Sequence, residues 1–196
     1  MKKGLLIILS GPSGVGKHTL WLPLLKDKTV NLGYSISMTT RSKRFDEENG
    51  REYFFVSHDE FEKAIKNNQM LEYAQYCGNY YGTPKEYVDN LRNKGINVLL
   101  EIDAQGGLQL IKNAKKNDDK AFVSVFILPP SLADLIKRLS TRGTETEEKI
   151  ASRVKIAKWE IDQAHHYEYK VVNHSIDSAR NELRDILLNE IKENGK

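Results

Sequence analysis

Apolar residues along the chain gather into short unbroken runs: LLIIL (5–9), NVLLEI (97–102), FVSVFIL (122–128) and a weaker YKVV (169–172). A strand that alternates apolar and polar residues buries one face. A run without alternation predicts a strand buried on both faces, as in a parallel sheet. Helical patterns fall between the runs, over 17–25, 104–116 and 132–140. The last opens at Ser131 with Asp134 three residues on, behind Pro129 and Pro130, which is a capping signal. Strand alternating with helix predicts a doubly wound α/β fold.

Two stretches break this rhythm. Residues 34–95 hold short alternating pieces (YSISM, YFFV), a turn signal at Asn49-Gly50, and a helix start at Ser57 with Glu60 three residues on. They read as an inserted small α/β lobe. Residues 141–165 are charged and helical, with Arg142 and Gly143 at their head, and read as a lid or hinged helix pair. We find no internal repeat and no low-complexity tract.

Composition narrows the class. With 196 residues and 39% apolar content the chain can build one compact domain with insertions, and recurrent apolar segments exclude disorder. A net charge of +3, with both signs mixed throughout, is too small for a dedicated nucleic-acid binder but suits a local anion pocket. One cysteine, Cys77, excludes an internal disulfide and a cysteine zinc cluster, and points to the cytoplasm. LLIIL is too short to span a membrane and no small-residue cleavage site follows it, so it reads as a strand rather than a signal peptide.

The richest chemistry joins the first run to the first helix. Gly11-Pro12-Ser13-Gly14-Val15-Gly16-Lys17 fits the phosphate-loop pattern G-x-x-x-x-G-K, between a strand and a helix where the mechanism needs it. Glycines let successive backbone N–H groups converge on an anion, and the helix adds its positive end. Lys17 would reach the outer phosphates. The pattern then asks for a hydroxyl, and His18 stands there instead. Imidazole is a poor ligand for Mg²⁺. Thr19 offers a hydroxyl one residue later. Glu101 and Asp103, at the carboxyl end of the second run, offer carboxylates that could hold the ion through its waters, Asp103 being the better placed.

SISMTTRSKR (35–44), EYFFV (52–56), LEYAQYCGNYYGT (71–83), LEIDAQG (100–106), FILPPS (126–131), RGTETEE (142–148) and VVN (171–173) together resemble the guanylate kinase family, in its order and over nearly the whole chain. The resemblance implies a P-loop NTPase core, a parallel sheet flanked by helices, over residues 1–33, 96–137 and 166–196. It implies a GMP-binding lobe over 34–95 and a helical lid over 138–165. The implied reaction moves the γ-phosphoryl of ATP to GMP, and to dGMP, with Mg²⁺ as cofactor, in purine nucleotide metabolism and GMP recycling. Neither nucleic acid nor membrane is an implied partner, and monomer and homodimer are both open.

The resemblance also assigns roles. Ser37, Arg41 and Arg44 would grip the GMP phosphate with Tyr53 and Tyr81, a task that suits the bidentate fork of arginine. Glu72 would read guanine with the hydroxyl of Thr83, beside Gly82, because a carboxylate accepts from both N1–H and the N2 amine and adenine lacks that donor pair. Glu101 and Asp103 match the acidic pair near the guanine and the metal. Gly11 to Thr19, with His18 among them, would bind ATP with Arg138. Lys17, Arg41, Arg142 and Arg153 would stabilise the transferred phosphoryl. Lys43 replaces the family's usual proline, which loosens the turn that carries Arg44.

Other readings compete. Arg41, Lys43 and Arg44 alone read as a solvated basic turn, Tyr80 as hairpin packing, Trp21 and Trp159 as helix packing, and Cys77 as a small packed side chain. His165 and His166 face different ways on a helix and read as structural. A binding module that grips phosphopeptides with the same lobe would share these motifs, but such modules lack an intact phosphate loop. A kinase for another monophosphate is opposed by Glu72 and Thr83.

Overall fold

The computed structural model describes residues 2–76, 78–140 and 147–196. Its centre is β1 (Leu6–Ser10), in which every residue is buried. Parallel partners flank it on both sides: β7 (Asn97–Glu101), then β2 (Leu32–Tyr34), on one; β8 (Phe122–Leu128), then β9 (Tyr169–Val172), on the other. Leu5, Ile7 and Leu9 face one way and Leu6 and Ile8 the other, each into its own apolar cluster. This two-sided burial is why the run carries no polar alternation.

Helices close both faces. The cluster around Ile7 takes Leu20 and Trp21 of α1 (Lys17–Trp21), Leu135 of α5 (Leu132–Ser140), Ala157 of α6 (Glu147–Asp162) and Leu183 of α7 (Ile176–Gly195). The cluster around Ile8 takes Val88 of α3 (Lys85–Asn93) and Leu110 of α4 (Ala104–Lys116). The α/β class expected from the sequence is the one observed.

Three local results depart from expectation. The helix expected over 17–25 is α only to Trp21 and continues as a 3-10 turn over Leu22–Lys26. Pro23 lacks the N–H that the next α bond would need. The piece YSISM divides: Tyr34 ends β2 in the core sheet, and Ser37 begins β3 (Ser37–Thr39) in a second sheet. β2 itself was not visible as an apolar run. Trp159 is only half covered, being 47% exposed, and lines a cavity rather than the core.

The second sheet has the order β4-β3-β6-β5, with β4 at Tyr53–Phe55, β5 at Met70–Tyr76 and β6 at Asn79–Pro84. Its helix α2 (His58–Lys66) begins in the capping box read from the sequence: Glu60 N–H donates to Ser57 Oγ at 3.2 Å, and Ser57 N–H donates to Glu60 Oε2 at 2.8 Å. The hairpin β5–β6 packs against α4, and α3 returns the chain to the core sheet. There Arg92 donates to the carbonyls of Gly4 and Ala121 at 2.8 and 2.9 Å. Cys77 lies outside the described residues.

One buried side chain ties the core strands' entry points. Asn97 accepts from Leu5 N–H at 2.9 Å and donates to Val30 C=O at 2.7 Å. Asn97→Leu leaves both backbone groups unpaired, so urea unfolding is expected to show a loss of about 2–3 kcal/mol.

Candidate active site

The turn from β1 to α1 is held from outside. Val15 C=O accepts from Asn173 Nδ2 at 2.8 Å and from Arg138 at 3.4 Å, and Arg138 also donates to Asn173 C=O at 3.0 Å. Gly11 and Gly16 are required by geometry. A Cβ on Gly11 would lie 2.4 Å from Ile127 C=O, and Gly16, at φ +95°, would press one to 2.9 Å from Asn173 Nδ2. Lys17 folds back over the loop and donates to Gly11 C=O at 2.6 Å. Burial lowers its pKa, against the attraction of Glu101, Glu160 and Asp103.

His18 does not enter the loop. Its ring meets Trp21 edge-on at 4.9 Å, with Nδ1 3.8 Å from Glu101 Oε2. Thr19 is exposed on the same helix.

A cavity of about 310 Å³ lies where the second sheet meets the carboxyl end of β7. Ser37, Tyr53, Glu72, Tyr81 and Gly82 line it from the second sheet. Glu101 and Asp103 line it from the core. Glu72 is 7% exposed and accepts from Thr83 Oγ1 at 2.6 Å. Burial pushes its carboxyl up to about 7, with Thr83 opposing and Asp103 adding repulsion. Asp103 caps α4, accepting from Gly106 N–H at 2.8 Å.

Arg41 lies over the rings of Tyr53 and Phe55, 5.5 and 5.6 Å from their centres. It is gripped by Glu47 at 2.8 Å, and the other oxygen of Glu47 accepts from Arg44 N–H at 2.9 Å. The Arg44 side chain is exposed.

A second cavity, of about 560 Å³, is lined by Ser13, Asp103, Gln105, Arg153, Trp159 and Glu160. Buried Glu160 takes hydrogen bonds from the backbone N–H groups of Ser13 and Ala104, and burial raises its pKa while Lys17 opposes. Asp103 and Gln105 line both cavities, so the two are neighbours. Arg142 lies outside the described residues.

Sequence reasoning missed Glu47, Glu160 and the pinning role of Asn173. Asn173 sits in the quoted VVN, but its partner Val15 is 158 residues away. Glu47 and Glu160 stand in charge-dense segments, where nothing in the sequence separates them from solvated neighbours.

A glycine loop between a central parallel strand and a helix, with one cavity against the loop and a neighbouring one between the core and the second sheet, defines a P-loop nucleotide-binding protein. The comparisons make the assignment particular. The guanylate kinase family model matches residues 3–190. A guanylate kinase of Mesoplasma florum is 46% identical over 188 residues, 96% of this chain and 62% of that protein. The chain thus spans under two thirds of that relative's length. One of Bacillus subtilis is 46% identical over 189 residues, 96% of this chain and 90% of the other. The crystal structure of guanylate kinase from Anaplasma phagocytophilum matches with a TM-score of 0.72 at 31% identity, covering 97% of this chain and 87% of that one. The chain belongs to the guanylate kinase family of nucleoside monophosphate kinases. No described helix is long and apolar enough to cross a membrane.

The raised carboxyl of Glu72 has a consequence for stability. Between its unfolded value, near 4.5, and its folded value of about 7, the folded protein holds a proton that the unfolded chain has lost. Stability of the nucleotide-free protein therefore falls as pH rises through this window. Glu72→Gln cannot ionise, so at pH 8 it is expected to be the more stable by about 3 kcal/mol, and near pH 4 to be close to wild type, by urea titration.

Proposed function

We infer that the protein transfers the γ-phosphoryl of ATP to GMP, giving ADP and GDP. The observation that carries this is the adjacency of two unlike cavities. One adjoins the phosphate loop, the other is walled by Glu72, whose carboxylate accepts from the buried Thr83 hydroxyl, and Asp103 stands in the wall of both.

Glu72 and Thr83 supply the guanine reader. GMP presents two N–H donors to Glu72 and so favours its ionised form, repaying the cost of burying that charge; AMP cannot. Ser37, Arg41, Arg44, Tyr53 and Tyr81 hold the GMP phosphate, with Arg41 already fixed over Tyr53. On the other side, the loop of residues 11–19 cradles the ATP phosphates with backbone N–H groups, Pro12 offering none, and Arg138 braces the loop. Lys17 exchanges its carbonyl partners for a phosphate oxygen. A phosphate oxygen of GMP then bonds to the γ-phosphorus as the bond from that phosphorus to the β,γ-bridging oxygen breaks. Lys17, Arg41, Arg142 and Arg153 balance the charge that spreads over the transferred group. In this reading residues 34–95 are the GMP lobe, 138–165 the lid, and the remainder the core.

The donor set fits Mg²⁺ carried by ATP. Among the described residues no three His, Cys, Asp or Glu form a metal-holding group. One or two carboxylates with waters and phosphates are how Mg²⁺ is usually held. Asp103 would hold it through water, with Glu101 nearby and Thr19 on an inner phosphate. Bound there, Mg²⁺ would neutralise phosphate charge.

GMP-dependent ADP formation from Mg-ATP, with AMP and UMP as parallel acceptors, tests the reading. Turnover is expected with GMP alone; GMP binding without turnover would instead support a silenced binding module. Lys17→Ala is expected to abolish turnover and leave GMP affinity within about twofold, because Lys17 serves ATP. Glu72→Gln is expected to weaken GMP by about 1–3 kcal/mol in calorimetry, although it stabilises the empty protein.

A further inference from the structure

The residue that breaks the phosphate-loop pattern belongs to a cluster in which Trp21 and Tyr34 carry no assigned role. Trp21, on the inner side of α1 and 2% exposed, donates its indole N–H to Glu101 Oε2 at 2.6 Å. Its ring stacks on Tyr34 of β2, with centres 4.4 Å apart and planes 7° from parallel. His18 lies on the solvent side, edge-on to Trp21, with Nδ1 3.8 Å from the same carboxylate oxygen. Thus α1 reaches Glu101 at two points and aims at one atom.

Glu101 ends β7 and lines the cavity of Glu72 and Tyr53. A glutamate there has three rotatable bonds and would sample several directions if unrestrained. A buried indole cannot leave its N–H unpaired without cost, so Trp21 and Glu101 fix each other. With Oε2 held, the other oxygen is what Glu101 can offer the cavity. We propose that Trp21 is a positioning residue for the GMP site: with His18 outside it, the indole clasps Glu101 and sets the carboxylate that GMP meets. This rests on GMP being the ligand of that cavity. It also gives the imidazole a place that does not depend on the metal.

Trp21→Phe separates this from a role in packing alone, since the phenyl ring keeps the stack on Tyr34 and loses only the N–H. GMP affinity measured calorimetrically without ATP is expected to fall about tenfold, the size of a lost hydrogen bond to a charged group, with the KM for GMP rising in step. The KM for Mg-ATP is expected to stay within about twofold, because Lys17 and Thr19 are untouched. A merely loosened α1 would do the reverse. In a Glu101→Gln background the tryptophan substitution is expected to cost less than in wild type, because the two residues act through one contact. Unchanged GMP affinity, or an equal cost in both backgrounds, overturns the proposal.

Nitrogen–proton NMR of the indoles decides the matter should Trp21→Phe fail to fold. The Trp21 indole proton is expected to exchange slowly and to shift in Glu101→Gln, while that of half-exposed Trp159 does neither. Fast exchange with no shift removes the clasp. A wild-type protein that binds no GMP overturns the functional reading itself, a result distinct from a variant that fails alone.

Discussion

A loop that binds phosphate through its backbone must leave N–H groups for its ligand and still hold one shape. Pairing can take only some of them, as Val15 N–H donates to Pro12 C=O at 3.2 Å and Ser13 N–H to Glu160, so the rest of the stiffness comes from its carbonyls and from what packs beneath. In this protein Val15 C=O is the anchor, taken by Asn173 and Arg138. Gly11 lies so close to Ile127 that no side chain fits, which seats the loop on β8. Gly16 lets the chain turn into α1 against Asn173. The order of strands around β1 follows from the same need, since β8 and the end of β9 must converge on the loop that leaves β1.

Charge burial then sets the two cavities apart. Lys17 and Glu160 are held near each other at the loop, and each limits the shift that burial imposes on the other. Glu72 has no cation among the causes of its shift; it has Thr83 and a repelling Asp103. A buried carboxylate so placed is costly until a donor-rich ligand arrives. The protein stores at Glu72 a preference that a guanine edge can satisfy, and keeps at Lys17 a buried cation whose desolvation the carboxylates offset only in part.

Legibility in the sequence followed burial. β1, β7 and β8 were readable because two-sided burial leaves an apolar run; β9, a half-buried edge strand of four residues, left only the weaker YKVV. β2 was not readable, since three residues at a sheet edge carry no run, and its last, Tyr34, was absorbed into the alternating piece beside it. Ser37, Tyr53, Glu72, Tyr81, Gly82, Glu101 and Asp103 of the first cavity could be named from their motifs, and Glu160 of the second could not. What orients them could not, because Trp21 meets Glu101 across 80 positions and Asn173 meets Val15 across 158. The helix boundary at Pro23 was legible in principle, and the error there was to let apolar period outweigh a missing N–H.

The turn that carries Arg41 and Arg44 shows how a local rule can be replaced by a tertiary one. Proline at position 43 would restrict the backbone before Arg44 by its ring alone. Lys43 gives no such restriction. Glu47 supplies it differently: one oxygen holds the Arg41 guanidinium, the other holds Arg44 N–H, and its own N–H donates to Arg44 C=O at 3.3 Å. Three bonds from one residue close the turn across the position where stiffness was lost. The guanidinium of Arg41 is attracted to that carboxylate, which holds it over Tyr53 without filling the cavity. A loop secured in this way depends on charge rather than on a ring, so salt and neighbouring acids bear on it where they would not bear on a proline.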